Sequence, residues 1–250
     1  MRAASALITA WVERGIALLA AIPPALFIAL TAGLAYYLQR RVRLVVGIGA
    51  ALALIFSLGL WHGMLETLVL VLLATAMAVA VGVPLGIVAA HRPWLYRAMR
   101  PLLDFMQTIP TFVYLIPTLM LFGLGVMPGL VSTVIFILPI PIRMTYLGIC
   151  DTSKDLREAA EAFGATPWQR LIKVEIPCAR IAIMAGVNQA LMLALSMVVV
   201  ASLVGAGGLG SPVVRALNTV NVAEGFEAGI AIVALAMVLD RIVKRPGGST

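Results

Sequence analysis

Long apolar runs dominate this chain and limit what it can fold into. Residues 64–90 contain a single charged side chain, Glu66, and six further runs are nearly as apolar: about 16–38, 43–60, 102–124, 129–149, 181–204 and 226–243. About 20 such residues in a helix cross the roughly 30 Å hydrocarbon layer of a bilayer. A helix suits that solvent because it bonds all its backbone polar groups within itself. The runs are continuous, not alternating ten-residue segments, which argues against a transmembrane β-barrel. Hydrophobic residues make up 62% of the 250 and charged residues 12%, with a mean hydropathy of +1.06. That leaves too little polar surface for a soluble domain of this length. The sequence predicts an all-α polytopic membrane protein. Pro23, Pro24, Pro84, Pro110, Pro117, Pro139 and Pro141 fall inside the runs and predict kinks, which helix bundles tolerate.

The formal charge of +7 could indicate nucleic acid, but in a membrane protein excess Lys and Arg marks the cytoplasmic face. With the N-terminus outside, one side of the membrane collects Arg40, Arg41, Arg43, Arg92, Arg97, Arg100, Lys154, Arg157, Arg170, Lys173, Arg180, Arg241, Lys244 and Arg245. The opposite side holds only Arg2, Arg14 and Arg215, while Arg143 lies within a run. This asymmetry assigns the polar stretch between Cys150 and Arg180, and the C-terminus, to the cytoplasm, and the loop after Gly205 to the outside. The N-terminus lacks the short apolar core and small-residue cleavage site of a secretory signal, so the first run reads as a span that stays. Cys150 and Cys178 match no metal spacing and read as free thiols on a reducing side. His62 and His91 read as loop residues without chemistry.

The stretch 151–180 is the one polar interruption long enough to fold. Leu156, Ala159, Ala160 and Phe163 recur at helical spacing. Gly164 follows at the position where a left-handed residue ends a helix. Thr166, Pro167 and Gln169 have the order of an N-cap, a first-turn proline and a capping box. Trp168, Leu171, Ile172 and Ile176 share the next face, and Pro177 is expected to end or kink that helix. The result is two short amphipathic helices around a glycine elbow. Five basic and five acidic residues lie between Cys150 and Arg180, a neutral balance that argues against gripping phosphates. Docking to a cytoplasmic protein and a role at the lipid surface both remain open on these residues alone.

The spacing Glu158-Ala159-Ala160, Gly164, then Val174-Glu175-Ile176-Pro177 closely resembles the EAA loop of binding-protein-dependent ABC importer permeases. Val174 and Ile176 stand where that family usually has Ile and Leu. Two further segments, residues 101–123 from Pro101-Leu102-Leu103-Asp104 to Phe122-Gly123, and 185–199 with Gly207-Gly208-Leu209-Gly210 beyond, resemble the glycine betaine/proline and choline branch. The resemblance covers roughly residues 60–243 and is weak before that. It implies the permease fold for a five-helix core at 61–245 containing the coupling loop 151–180; the apolar runs place two transmembrane helices before it in 1–60, and a short tail follows at 246–250. The resemblance also implies a pore built from two permease copies, expected to be identical, in the cell's inner membrane. Cytoplasmic ABC ATPase subunits, which bind ATP and Mg, would dock on the loop, and an external solute-binding protein would deliver the solute. No cofactor is expected on this chain. Glu158, Ala159, Ala160, Phe163, Gly164 and Pro177 would be the coupling residues.

Polar and aromatic residues in the spans give candidates for the translocation pathway: Asp104, Tyr114, Asn188, Gln189, Ser196 and Met197. Gln189 and Ser196 are seven apart, hence on one helical face, and could equally bond a neighbouring helix. Phe112, Tyr114, Met192 and Met197 offer polarizable surface to a quaternary ammonium ion, though core packing is the simpler role for each. Glu66 and Asp104 lie near span ends, where a charge is inexpensive, and read as structural. Arg143 lies deeper and requires a partner that the sequence does not name. Gly205-Ala206-Gly207-Gly208-Leu209-Gly210 satisfies a dinucleotide-binding spacing, but that motif needs a preceding strand and here a span precedes it. No phosphate-binding loop, His-Glu-x-x-His or Ser/His pair points to an enzyme. The alternative class, an ATP-independent secondary transporter or channel, calls for inverted repeats and mid-membrane carboxylates, neither of which is visible.

Overall fold

A computed structural model describes residues 2–243, with side chains from Thr9 onward; Lys244, Arg245 and the tail lie outside the described residues. Every regular element among these residues is helical. The chain opens with α1 (Arg2–Ala20), α2 (Pro24–Gln39) and α3 (Val42–Ser57), followed by the long α4 (Trp61–His91). Next come α5 (Pro93–Thr108), a 3₁₀ turn (Thr111–Tyr114) and α6 (Leu115–Phe122), then α7 (Val126–Ile137) and α8 (Pro139–Cys150). The polar stretch folds into α9 (Lys154–Ala162) and α10 (Pro167–Arg170), and a π turn (Leu171–Glu175) leads directly into α11 (Ile176–Ala201). A 3₁₀ turn (Ser202–Val204), α12 (Gly210–Thr219) and α13 (Val222–Val243) complete the order.

Among the described residues, four helical stretches are long and apolar enough to cross a membrane: Trp61–His91, Val126–Cys150, Pro167–Val204 and Val222–Val243. Two of the expected spans are broken instead of straight. The 16–38 run bends by 95° between α1 and α2, and the 102–124 run bends by 108° between α5 and the following turn. Proline chemistry explains both breaks. A residue before proline is pushed out of the α region, and Ile109 before Pro110 and Pro23 before Pro24 both have ψ above 120°. Pro84, by contrast, sits inside an unbroken α4. The 43–60 run becomes a helix of only 16 residues, Val42–Ser57.

The core is a sandwich of α4, α8 and α11, with α7 and α13 packed around it. Close approach is achieved with small residues, as membrane helices without a hydrophobic driving force between them require. A Cβ at Gly86 would lie 2.7 Å from both the Ile142 carbonyl oxygen and Thr145 Cβ, and one at Gly186 would lie 2.7 Å from Met144 Cβ. α8 is thereby wedged against α4 on one side and α11 on the other. A smaller apolar cluster (Tyr114, Leu115, Met197, Ala201, Val204 and Ala206) closes the opposite end around the α5–α6 bend. The N-terminal helices lean on the same bundle. α1 packs on α4, α3 packs on α13, and the Gln39 side-chain amide donates to the Arg241 carbonyl in the last turn of α13.

Candidate functional site

The polar stretch forms a hairpin between the C-terminal end of α8 and the N-terminal end of α11. α9 ends in a Schellman arrangement. The Gly164 N–H donates to the Glu161 carbonyl at 2.9 Å, and the Ala165 N–H to the Ala160 carbonyl at 3.0 Å. Gly164 has φ +77° with open space around the position of a Cβ, so backbone conformation rather than crowding selects glycine there. On the far side of the elbow the capping box forms as its sequence predicts. The Thr166 side chain accepts from the Gln169 N–H at 3.3 Å, and the Gln169 side chain accepts from the Thr166 N–H at 2.9 Å.

Pro177 does not end the second helix. The helix runs without a break from Pro167 to Val204. The π turn at Leu171–Glu175 makes this possible, because the Ile176 N–H bonds five residues back to Leu171. The widened turn changes the register just before the residue that has no N–H to offer, a recognised way for a helix to absorb an insertion or a proline. The second half of the elbow is therefore the N-terminal extension of a membrane-spanning helix, not a separate piece.

The apolar faces of this hairpin are largely uncovered by the described residues. Phe163 is 92% exposed and Trp168 68%, and Leu156 and Ile172 are also exposed. Glu158 and Ala159 are exposed beside them, Ala160 is half-buried, and Pro177 is exposed. Only Leu171 of the expected stripe is buried. Large aromatic residues presented next to small ones and mixed charges have the make-up of a protein-binding surface.

Beneath this surface lies a carboxylate that sequence reasoning passed over. Glu175 is 1% exposed. Its Oε1 is 3.1 Å from Arg170 Nε and 3.9 Å from Arg157 Nε, while its Oε2 is 2.8 Å from Nε2 of His91, the last residue of α4. His91 Nδ1 is in turn 2.9 Å from the Ile87 carbonyl. The ring of His91 thus sits between a carbonyl of its own helix and the buried carboxylate. Arg170 also pairs with Glu161 across the elbow, and Arg157 donates to the Ile149 carbonyl at the end of α8. His91 is thus a contact residue, contrary to its reading as a loop residue without chemistry. The available signal was Glu175 itself, a charge at helical spacing among Leu171, Ile172 and Ile176 that no solvated face required.

The pathway candidates are divided by their surroundings. Asp104 on α5 is exposed and pairs with Arg143 of α8, which supplies the partner that Arg143 required. Tyr114 is buried, and its hydroxyl donates to the Met106 carbonyl, bracing the α5–α6 bend. Met197 is buried in the same small cluster. The Asn188 amide donates to Asp240 Oδ1 at 3.1 Å, tying α11 to α13. Gln189 and Ser196 share an exposed face of α11. At the other end of α4, Glu66 Oε2 accepts the Gly208 N–H at 2.6 Å and Thr67 Oγ1 accepts the Leu209 N–H at 2.8 Å. The glycine-rich loop is therefore a helix-to-helix turn pinned to α4, and no strand precedes it. Among the described residues no group of three or more His, Cys, Asp or Glu side chains is placed to hold a metal ion.

The family model described as "Binding-protein-dependent transport system inner membrane component" matches residues 82–244. The chain is 47% identical over 226 residues to the glycine betaine/carnitine transport permease protein of Listeria monocytogenes, an alignment covering 89% of this chain and 80% of that one. It is 50% identical over 224 residues to the glycine betaine transport system permease protein of Bacillus subtilis, covering 89% and 79%. Among solved structures, an inward-facing form of the MetNI methionine ABC transporter superposes with a TM-score of 0.66 at 25% identity, over 74% of this chain and 94% of the other.

Proposed function

The chain belongs to the family of binding-protein-dependent transport system inner membrane components, and from that premise we propose that it carries glycine betaine, or a related solute such as choline or proline, into the cell. It is the transmembrane permease subunit of an ABC importer and has the family's all-α membrane fold. Hydrolysis belongs to a partner, since permease subunits of this family have no nucleotide site of their own. The choice of solute rests on the names of the two permeases with which the chain shares about half its residues over nearly nine-tenths of its length.

The observation that carries the mechanism is the largely uncovered apolar face of the elbow, held on the extension of a transmembrane helix. A cytoplasmic ATPase docked against Glu158, Ala159, Ala160 and Phe163 would act on α9 and, through the Gly164 turn, on α10 and α11. ATP can shift the pore between two states only through contacts that differ between them, and this hairpin is the part of the chain suited to make such contacts. Gly164 supplies the turn, and Pro177 lies where the elbow joins the span. A second copy of the chain completes the pore, and an external solute-binding protein delivers the solute on the side of the Gly205–Gly210 loop. Within the pore, Gln189 and Ser196 are the pathway residues best supported by exposure, with Asp104 at the cytoplasmic approach. The coupling loop and C-terminus face the cytoplasm. The N-terminus lies outside if the bent α1–α2 pair makes one crossing.

Reconstitution of the chain in liposomes with its ATPase and solute-binding protein tests this reading. Accumulation of labelled glycine betaine should require ATP inside and the binding protein outside. Uptake that proceeds without ATP would instead favour the secondary transporter or channel.

A further inference from the structure

Resting on the reading that α9 receives the ATPase, we propose that Glu175 is the positioning residue that makes the docking hairpin and α4 move together. The hairpin joins the rest of the chain through two bendable connections, the 151–153 turn and the Gly164–Ala165 elbow. A push on α9 passing only through these would be lost in bending. The side chains provide a stiffer route. Glu175 divides its two carboxylate oxygens between bodies: Oε1 faces Arg157 of α9 and Arg170 of α10, and Oε2 faces His91 of α4. With Glu175 only 1% exposed, its attraction to the two arginines is weakly screened by solvent, and its other oxygen is held in close contact with His91. Arg170 closes the circuit by pairing with Glu161 at the far end of α9.

α4 is the element worth gripping. Its 31 residues extend about 45 Å at 1.5 Å per residue, and its opposite end holds the Gly205–Gly210 turn through Glu66 and Thr67. It also packs along α8 and α11. A displacement transmitted to His91 is therefore carried by one continuous helix to the opposite end of the bundle. The π turn fits this role, since it sets Glu175 inward, toward α4, immediately before the transmembrane part of the helix begins. Glu175 touches neither solute nor nucleotide; it acts through the arginines and the histidine.

The test uses the complete transporter in liposomes and reads solute imported per ATP hydrolysed, with the amount of co-purified ATPase measured alongside. The unaltered complex must first retain the ATPase; if it does not, the docking reading itself fails, separately from this proposal. Glu175→Gln keeps the side chain's shape and removes its charge, and His91→Leu removes the other half of the link at a helix end. Each should lower the import-to-hydrolysis ratio at least tenfold with the ATPase still bound, and the double variant should be no worse than either single one, as expected for two residues of one link. A side chain serving stability alone would lower the yield of complex and leave the ratio intact. If Glu175→Gln fails to assemble, His91→Leu decides alone. A wild-type ratio in the assembled variants, or losses that multiply in the double variant, would overturn the proposal.

Discussion

His91 and Glu175 meet at 2.8 Å, although one ends α4 and the other lies in the π turn beyond the elbow. This contact joins a transmembrane helix to the segment that a cytoplasmic partner would grip. It also ranks the features of the loop. On the proposed docking, the exposed residues would set what binds, and the buried carboxylate what moves with it.

Gly164 is the first place to test the elbow. A side chain at φ +77° costs about 1–2 kcal/mol for most residues, and a β-branched residue is the least suited to that region. Gly164→Val should leave the protein inserted but uncouple ATPase activity from solute import. Gly164→Asn, which tolerates the left-handed region, should retain most of the import. Both are read from ATPase and uptake rates in the same liposomes, and normal import by the valine variant would remove the elbow from the mechanism.

The capping box offers a graded perturbation of the same site. Thr166→Ala removes the acceptor for the Gln169 N–H and should destabilise the first turn of α10 by about 1 kcal/mol. Amide hydrogen exchange at Trp168–Arg170 should quicken roughly fivefold, the equivalent of that energy, while Thr166→Ser keeps the wild-type rate.

Phe163 and Trp168 should behave as anchors of the docking surface. Buried aromatic anchors at interfaces typically cost about 2 kcal/mol or more when truncated, which is about a thirtyfold loss in affinity. Phe163→Ala and Trp168→Ala should each weaken ATPase binding to the purified permease by at least tenfold in a direct titration. Unchanged binding in both would point to the lipid surface instead.

Gly86 tests the packing of α4 on α8. A Cβ there would come within 2.7 Å of a backbone oxygen, which cannot retreat as a flexible side chain could. Gly86→Val should therefore lower the unfolding temperature in detergent. Gly33→Ala, where nothing lies within 4 Å of the added Cβ, should leave it within a degree or two.

Much of this architecture was legible in the sequence because its causes are local. Apolar runs at 64–90, 129–149 and 226–243 are helices in the structure, and Gly164, Thr166 and Gln169 cap as their types require. The sharp bends at Pro23-Pro24 and Pro110 were suggested by residue type but not in magnitude, since Pro84 has the same chemistry and sits in an unbroken helix. The continuity through Pro177 was not legible at all, because it depends on a change of hydrogen-bond register one turn earlier. Long-range pairs were equally hidden: Asp104 with Arg143, Asn188 with Asp240, and His91 with Glu175 depend on which helices lie side by side. Tyr114 and Met197 are buried for the same reason, through packing around the α5–α6 bend.

Whether an ATPase sits on α9 can be read from a single cross-link. With Cys150 and Cys178 replaced by serine, Ala159→Cys places one thiol on the exposed face of α9. A thiol-to-amine cross-linker a few ångströms long should then join the permease to the co-purified ATPase, with an efficiency that changes when ATP is added. A complex that retains the ATPase but gives no such product, with or without nucleotide, would contradict the claim.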